Sequence, residues 1–111
     1  MKTVQVALRD SEQANSLRDL LTGDGAHQVH LVEQPDMGMA GVIVMDLDNL
    51  PASNALTGVP ERVVVVASKA NDDLARAWKA GVRRVVFYGD DPGTLRIAVL
   101  ATELTLGTED L

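Results

Sequence analysis

The chain has 111 residues, 46% of them hydrophobic, a formal net charge of −6 and no cysteine. That length supports one domain around one core, residues 1–111, with a globular composition. The acidity argues against free nucleic acid as a direct partner, because phosphate binding needs a basic face, and the lack of cysteine excludes disulfides, thiolate zinc sites and a cysteine nucleophile. No run approaches the ~18 apolar residues of a membrane span. The opening Met1-Lys2-Thr3-Val4-Gln5-Val6 lacks the apolar core of a signal peptide. A cytoplasmic protein without membrane contact is expected.

Val4, Val6 and Leu8 alternate with Gln5 and Ala7 and predict a first strand. Asp10 or Ser11 can cap the helix that follows, with Gln13 three residues after Asp10. Ala14, Leu17, Leu20 and Leu21 recur at helical spacing, and Gly23 and Gly25 stop that helix. Gln28 to Val32 predicts a short second strand. Glu33 to Ala40 contains Pro35 and Gly38 and is too short for a crossover helix of ~10–12 residues, so at most one helical turn is expected there.

Gly41-Val42-Ile43-Val44-Met45-Asp46 is an unbroken apolar run ending on a carboxylate. A β-branched run of this kind suits a strand covered on both faces, in the middle of a parallel sheet. Asp46 would stand at the carboxyl edge, where open α/β sheets place their sites. Leu47 to Glu61 predicts an irregular connection, with a turn of helix at Asn54 to Leu56. Val63-Val64-Val65-Val66 is a second buried strand. Asn71 caps the next helix, where Leu74, Ala77 and Trp78 share a face before Gly81 ends it. Val85-Val86-Phe87-Tyr88 is the last strand. Asp91 and Pro92 start a final helix lined by Leu95, Ala98 and Val99, which Leu104 continues. Strands that alternate with helices imply parallel pairing.

Four pieces of this chain resemble, in consistent register, the receiver domains of two-component response regulators, the CheY-like family. Met1 to Leu21 resembles their first strand and helix. Asp46, followed by Leu50-Pro51, falls where they carry the phosphoacceptor aspartate. Leu74 to Val82 resembles their fourth helix, and Asp90 to Leu95 the entry to their fifth. The resemblance implies a flavodoxin-like doubly wound α/β fold. It would have five parallel strands in the order 2-1-3-4-5, here with shortened second and third crossovers.

The departures define the expected function. Receivers hold magnesium with an acidic pair after the first strand; here those positions read Leu8 and Arg9, with Asp10 the nearby acid. They use a Ser or Thr after the fourth strand; here it is Ala67, with Ser68 adjacent. They use a Lys at the end of the fifth strand; here it is Tyr88, followed by Gly89 in place of a proline. Phosphoryl transfer is mostly positioning and charge neutralisation by metal and cation, which an aspartate alone does not supply. The resemblance is therefore to an atypical, or pseudo-, receiver. The expectation is a non-enzymatic, phosphorylation-independent protein-interaction module with no cofactor, in which Asp46 is an inherited strand-end carboxylate that caps a loop or pairs with Arg9.

Two alternatives stay open. In one, Asp46 is still phosphorylated with magnesium, and Arg9, Asp10 and Ser68 stand in for the usual shell. In the other, a small ligand binds at the carboxyl edge near Met37, Met39 and Asn49. Asp46 with Asp48 offers too few ligands for a metal site. His27 and His30 are expected to be exposed or partly packed, with no third ligand or triad partner. The turn Gly23-Asp24-Gly25 follows a helix, so it is not a phosphate loop. Arg76, Lys79, Arg83, Arg84 and Arg96 form an expected basic patch on the fourth helix, fifth strand and fifth helix, where dimerising receivers carry acids at the strand opening. Together with Trp78 and Tyr88 that face is the expected docking surface for a protein partner or a second copy. The competing reading is that Trp78, Phe87 and Tyr88 only pack between helix and sheet.

Overall fold

The computed structural model describes residues 2–23, 25–36, 38–47, 60–68 and 71–109. Five strands form one parallel sheet: β1 (Lys2–Ala7), β2 (His27–Leu31), β3 (Val42–Asp46), β4 (Val63–Ala67) and β5 (Arg84–Phe87), in the spatial order β2-β1-β3-β4-β5. The helices are α1 (Ser11–Thr22), α2 (Asn71–Lys79) and α3 (Pro92–Glu109), and a 3-10 turn spans Pro60–Arg62. The expected fold and strand order are therefore observed, with strand ends shifted by a residue or two. Met37, Asp48, Asn49, Leu50, Pro51 and the expected turn at Asn54 to Leu56 lie outside the described residues.

The two apolar runs become β3 and β4, and every residue of both strands is buried. Alternate side chains feed two cores. On one face Val4, Val6, Val42, Val44, Val64 and Val66 pack with Leu17 and Leu21 of α1 and Leu95 and Val99 of α3. On the other, Ile43, Met45, Val63, Val65 and Ala67 pack with Ala77 of α2 and with Val82. Each fully buried aliphatic side chain contributes about 1.5–3 kcal/mol of transfer free energy.

Helix starts follow the local chemistry. The Asp10 carboxylate accepts the N–H groups of Glu12 and Gln13 at 3.0 and 3.3 Å, satisfying donors that the first turn leaves orphaned. Asp91 accepts the N–H of Gly93 at 2.8 Å as α3 begins at Pro92. Among the described residues no helix fills the connection from β2 to β3. Instead the buried side chain of Gln5 holds its backbone at Asp36. The connection re-enters the sheet through Gly41, whose φ is +109° and where a Cβ would come within 2.1 Å of the Thr3 carbonyl oxygen.

Three helical expectations are corrected. Leu20 is 41% exposed, because the buried stripe of α1 is centred on Ala14, Leu17 and Leu21. Trp78 is 82% exposed and Leu74 36%, so of the expected inner face of α2 only Ala77 is buried. Leu104 does continue α3, but on its outer side, 71% exposed. Spacing identifies a stripe; it does not say which edge of a stripe the sheet covers.

Candidate functional site

Asp46 closes β3 and is 1% exposed. A carboxylate taken out of water needs donors on its oxygens, and two are provided. Oδ2 accepts the main-chain N–H of Arg9 at 2.6 Å. Oδ1 accepts the hydroxyl of Tyr88 at 2.6 Å. The Tyr88 bond has the length of a charge-assisted one, and the Arg9 bond is shorter than is usual for an N–H donor to a carboxylate.

The local structure explains both donors. Arg9 lies between the end of β1 and the cap of α1, so its N–H turns toward β3 while its side chain is exposed. The contact with Asp46 thus comes from the Arg9 main chain, where the sequence pointed to the guanidinium. Tyr88 follows β5 and donates its own N–H to the Ala67 carbonyl at 3.0 Å. A turn at Gly89, with φ +89°, ties the backbone N–H of Phe87 to the Asp90 carboxylate at 3.1 Å. Asp46 ends β3 and Tyr88 directly follows β5, two strands that are not neighbours. Between them lies β4, which ends in the buried methyl of Ala67. The phenol reaches across that strand end.

The remaining positions around the site serve other purposes. Leu8 packs against the core on the α1 face. Asp10 caps α1. The Ser68 hydroxyl donates to Asp73 at 2.5 Å, and its N–H points to the same oxygen at 3.4 Å, so Ser68 is tied to the first turn of α2. Magnesium needs several oxygen acceptors at octahedral positions. Among the described residues, the groups bonded to Asp46 are an N–H and a phenol that already donate to it, and the Leu8 side chain supplies no oxygen. The described residues do not fit that ion. No group of three His, Asp or Glu among them is placed to hold a metal.

The expected basic patch is divided. Arg76 and Lys79 are exposed on α2, and the Arg83 side chain, 62% exposed, lies 3.9 Å from Glu61. These three and Trp78 all lie on α2 or in the turn from it to β5. Arg84 is half-buried and donates to the Thr105 hydroxyl of α3 at 2.9 Å. Arg96 stands two turns before Glu103 and so shares that residue's side of α3, toward the far edge of the sheet. Phe87 is half-buried and Tyr88 is 45% exposed, so packing between helix and sheet does not account for the aromatic residues.

His27 is also corrected. It is buried, and its Nε2 lies 2.8 and 3.1 Å from the two carboxylate oxygens of Glu103. The partner is 76 positions away in the chain, which no local pattern reveals. His30 is half-buried. Of the residues expected to line a ligand crevice, Met37 and Asn49 lie outside the described residues, and the Met39 carbonyl accepts a guanidinium N–H of Arg62 at 2.9 Å. A cleft of about 220 Å³ is found instead between α1 and the carboxyl ends of β1 and β2. Leu8, Leu31 and Val32 are among its walls, and Ser11, Asn15 and Glu33 among its lining residues. No local pattern in the sequence marks it, since Leu31 there reads as an ordinary apolar strand residue.

No family model matches the chain, and no curated protein sequence does. Solved structures do. The receiver domain of ChxR from Chlamydia trachomatis superimposes with a TM-score of 0.70 at 13% identity, over 92% of this chain and 98% of that one. A CheY-like response regulator from Mesorhizobium loti gives 0.68 at 14% identity, over 91% and 98%. A CheY-like receiver domain from Methanospirillum hungatei gives 0.67 at 14% identity, over 100% and 99%. The chain has the CheY-like receiver fold. No helix among the described residues is long and apolar enough to cross a membrane.

Proposed function

We propose that this chain, which carries the CheY-like receiver fold, is a response-regulator signalling module that docks a protein partner without aspartyl phosphorylation or magnesium. The observation that carries the reading is the engagement of both Asp46 oxygens by Tyr88 and Arg9. An incoming phosphoryl group needs a nucleophilic carboxylate oxygen, which each of these donors weakens, and a metal and a fixed cation to spread its charge. Asp46 offers a capped carboxylate, an apolar neighbour at Leu8 and a phenol at the position of the cation. Under this reading there is no enzymatic step.

The docking surface is the exposed side of α2 and β5. Leu74 and Trp78 give it an apolar centre, and Arg76, Lys79 and Arg83 give it a basic rim. Tryptophan at the middle of such a surface is the residue type that most often dominates binding energy. Arg84 and Arg96 are outside it.

The test is an amide NMR titration with magnesium and beryllofluoride, a phosphoryl mimic, beside Asp46→Ala as control. The expected result is no saturable shift around Asp46 and Tyr88 at millimolar magnesium. Saturable shifts that vanish in the control would restore the phosphorylated alternative, with Arg9, Asp10 and Ser68 as its shell.

A further inference from the structure

The exposed tryptophan and the small cleft lie at diagonally opposite corners of the molecule. Trp78 stands in the last turn of α2, beside the edge strand β5 and at the amino end of the sheet. The cleft lies at the carboxyl ends of β1 and β2, and β2 is the other edge strand. At 82% exposure Trp78 is the largest apolar side chain left in water among the described residues. At about 220 Å³ the cleft is smaller than the 300–1,000 Å³ of pockets that take drug-sized ligands. It is the size for one large side chain. Its walls are aliphatic, from Val6, Leu8, Ala14, Leu31 and Val32.

The charges around the two features are opposite in sign. Arg76, Lys79 and Arg83 belong to the same exposed α2–β5 segment as Trp78, in a protein whose net charge is −6. Glu33 lines the cleft, Asp10 caps the helix that walls it and Glu12 stands in its first turn, both exposed, with Arg9 as a counter-charge. Asn15 adds an exposed carboxamide, a partner for the indole N–H.

We infer that the occupant of each feature is a second copy of this chain: Trp78 of one copy enters the β1–α1–β2 cleft of the next, head to tail. This rests on the docking reading above and names the partner for it. The two contacting surfaces differ, so the contact is heterologous and leaves a free Trp78 at one end and a free cleft at the other. One anchor in one small cleft buries less than a standard interface, so the association is weak and grows with concentration. Salt weakens it, because its charges are exposed.

Sedimentation velocity from micromolar to millimolar protein tests this with Trp78→Ala and Glu33→Arg, both surface changes that leave the circular dichroism spectrum unaltered. The wild type is expected to sediment faster as concentration rises, and each variant alone is expected to stay a monomer. An equimolar mixture of the two restores one contact, because the first variant keeps its cleft and the second keeps its tryptophan. The mixture is expected to stop at a heterodimer. A wild type that stays monomeric at millimolar concentration overturns the inference and leaves docking of another protein in place. Association lost in Trp78→Ala but kept in Glu33→Arg overturns it too, and shows the α2–β5 face docking copies elsewhere than in the cleft. Failure of the docking reading itself would show separately, as beryllofluoride binding at Asp46.

Discussion

The side-chain amide of Gln5 and the backbone of Asp36 hydrogen-bond to each other reciprocally. Gln5 Nε2 donates to the Asp36 carbonyl at 2.9 Å, and the Asp36 N–H donates to Gln5 Oε1 at 2.7 Å. A buried strand residue thereby holds the irregular connection that stands where a crossover helix would be. Gln5→Leu leaves both backbone groups of Asp36 without these partners. A loss of roughly 2–3 kcal/mol in urea unfolding is expected, with Gln5→Asn also destabilising, because the shorter amide falls short of Asp36.

Tyr88→Phe keeps the ring and removes one oxygen. Asp46 then loses one of its two donors in a buried position, which costs roughly 1.5–3 kcal/mol for a bond to a charged group. Tyr88→Lys is expected not to confer magnesium-dependent beryllofluoride binding, because Leu8 and Ala67 still lack the required oxygens. Fluorine NMR on the variant reads this directly.

His27 and Glu103 form a buried pair whose side chains are 3% and 6% exposed. Removing one partner leaves the other without compensation, at a cost of about 3–5 kcal/mol. Replacing both by leucine is expected to recover most of that loss. A double-mutant cycle followed by denaturant unfolding measures the difference.

Gly41 and Gly81 separate two effects of a left-handed backbone. At Gly81, with φ +85°, nothing lies within 4 Å of an added Cβ. Gly81→Ala is expected to cost ~1–2 kcal/mol, the conformational penalty alone. At Gly41 an added Cβ meets the Thr3 carbonyl, so Gly41→Ala is expected to cost several times more, or to prevent folding. Thermal unfolding of the two variants side by side makes the comparison.

Trp78→Ser should change stability by less than ~0.5 kcal/mol, since the side chain is exposed. Ala77→Asp, one residue earlier on the buried side of α2, should unfold the helix from the sheet. The contrast in melting temperature separates a surface kept for contact from one kept for packing.

Much of the frame was legible in the sequence, because long apolar runs and alternation are local. β3 and β4 follow from Val42 to Met45 and Val63 to Val66, and the position of Asp46 at a strand end follows with them. The unread parts depend on partners remote in the chain. Gln5 looks like an outward polar residue of an alternating strand, yet it is buried because Asp36 comes to meet it. His27 finds Glu103 on another element. The helical spacing of Leu74, Ala77 and Trp78 gives a stripe, but a nine-residue helix lays only Ala77 on the sheet. At Asp46 the sequence showed which shell residues differ from the family pattern. It did not show that the Tyr88 hydroxyl reaches Asp46.

The crossing of β4 by Tyr88 ties two substitutions into one. The hydroxyl reaches Asp46 over a strand end that carries only the methyl of Ala67. A threonine at 67 would add two heavy atoms where the phenol passes, and a lysine at 88 would leave Asp46 without its neutral donor. A change at either position alone therefore disturbs the bond between Tyr88 and Asp46. The two positions are coupled through it, and substitutions at them are expected to be non-additive.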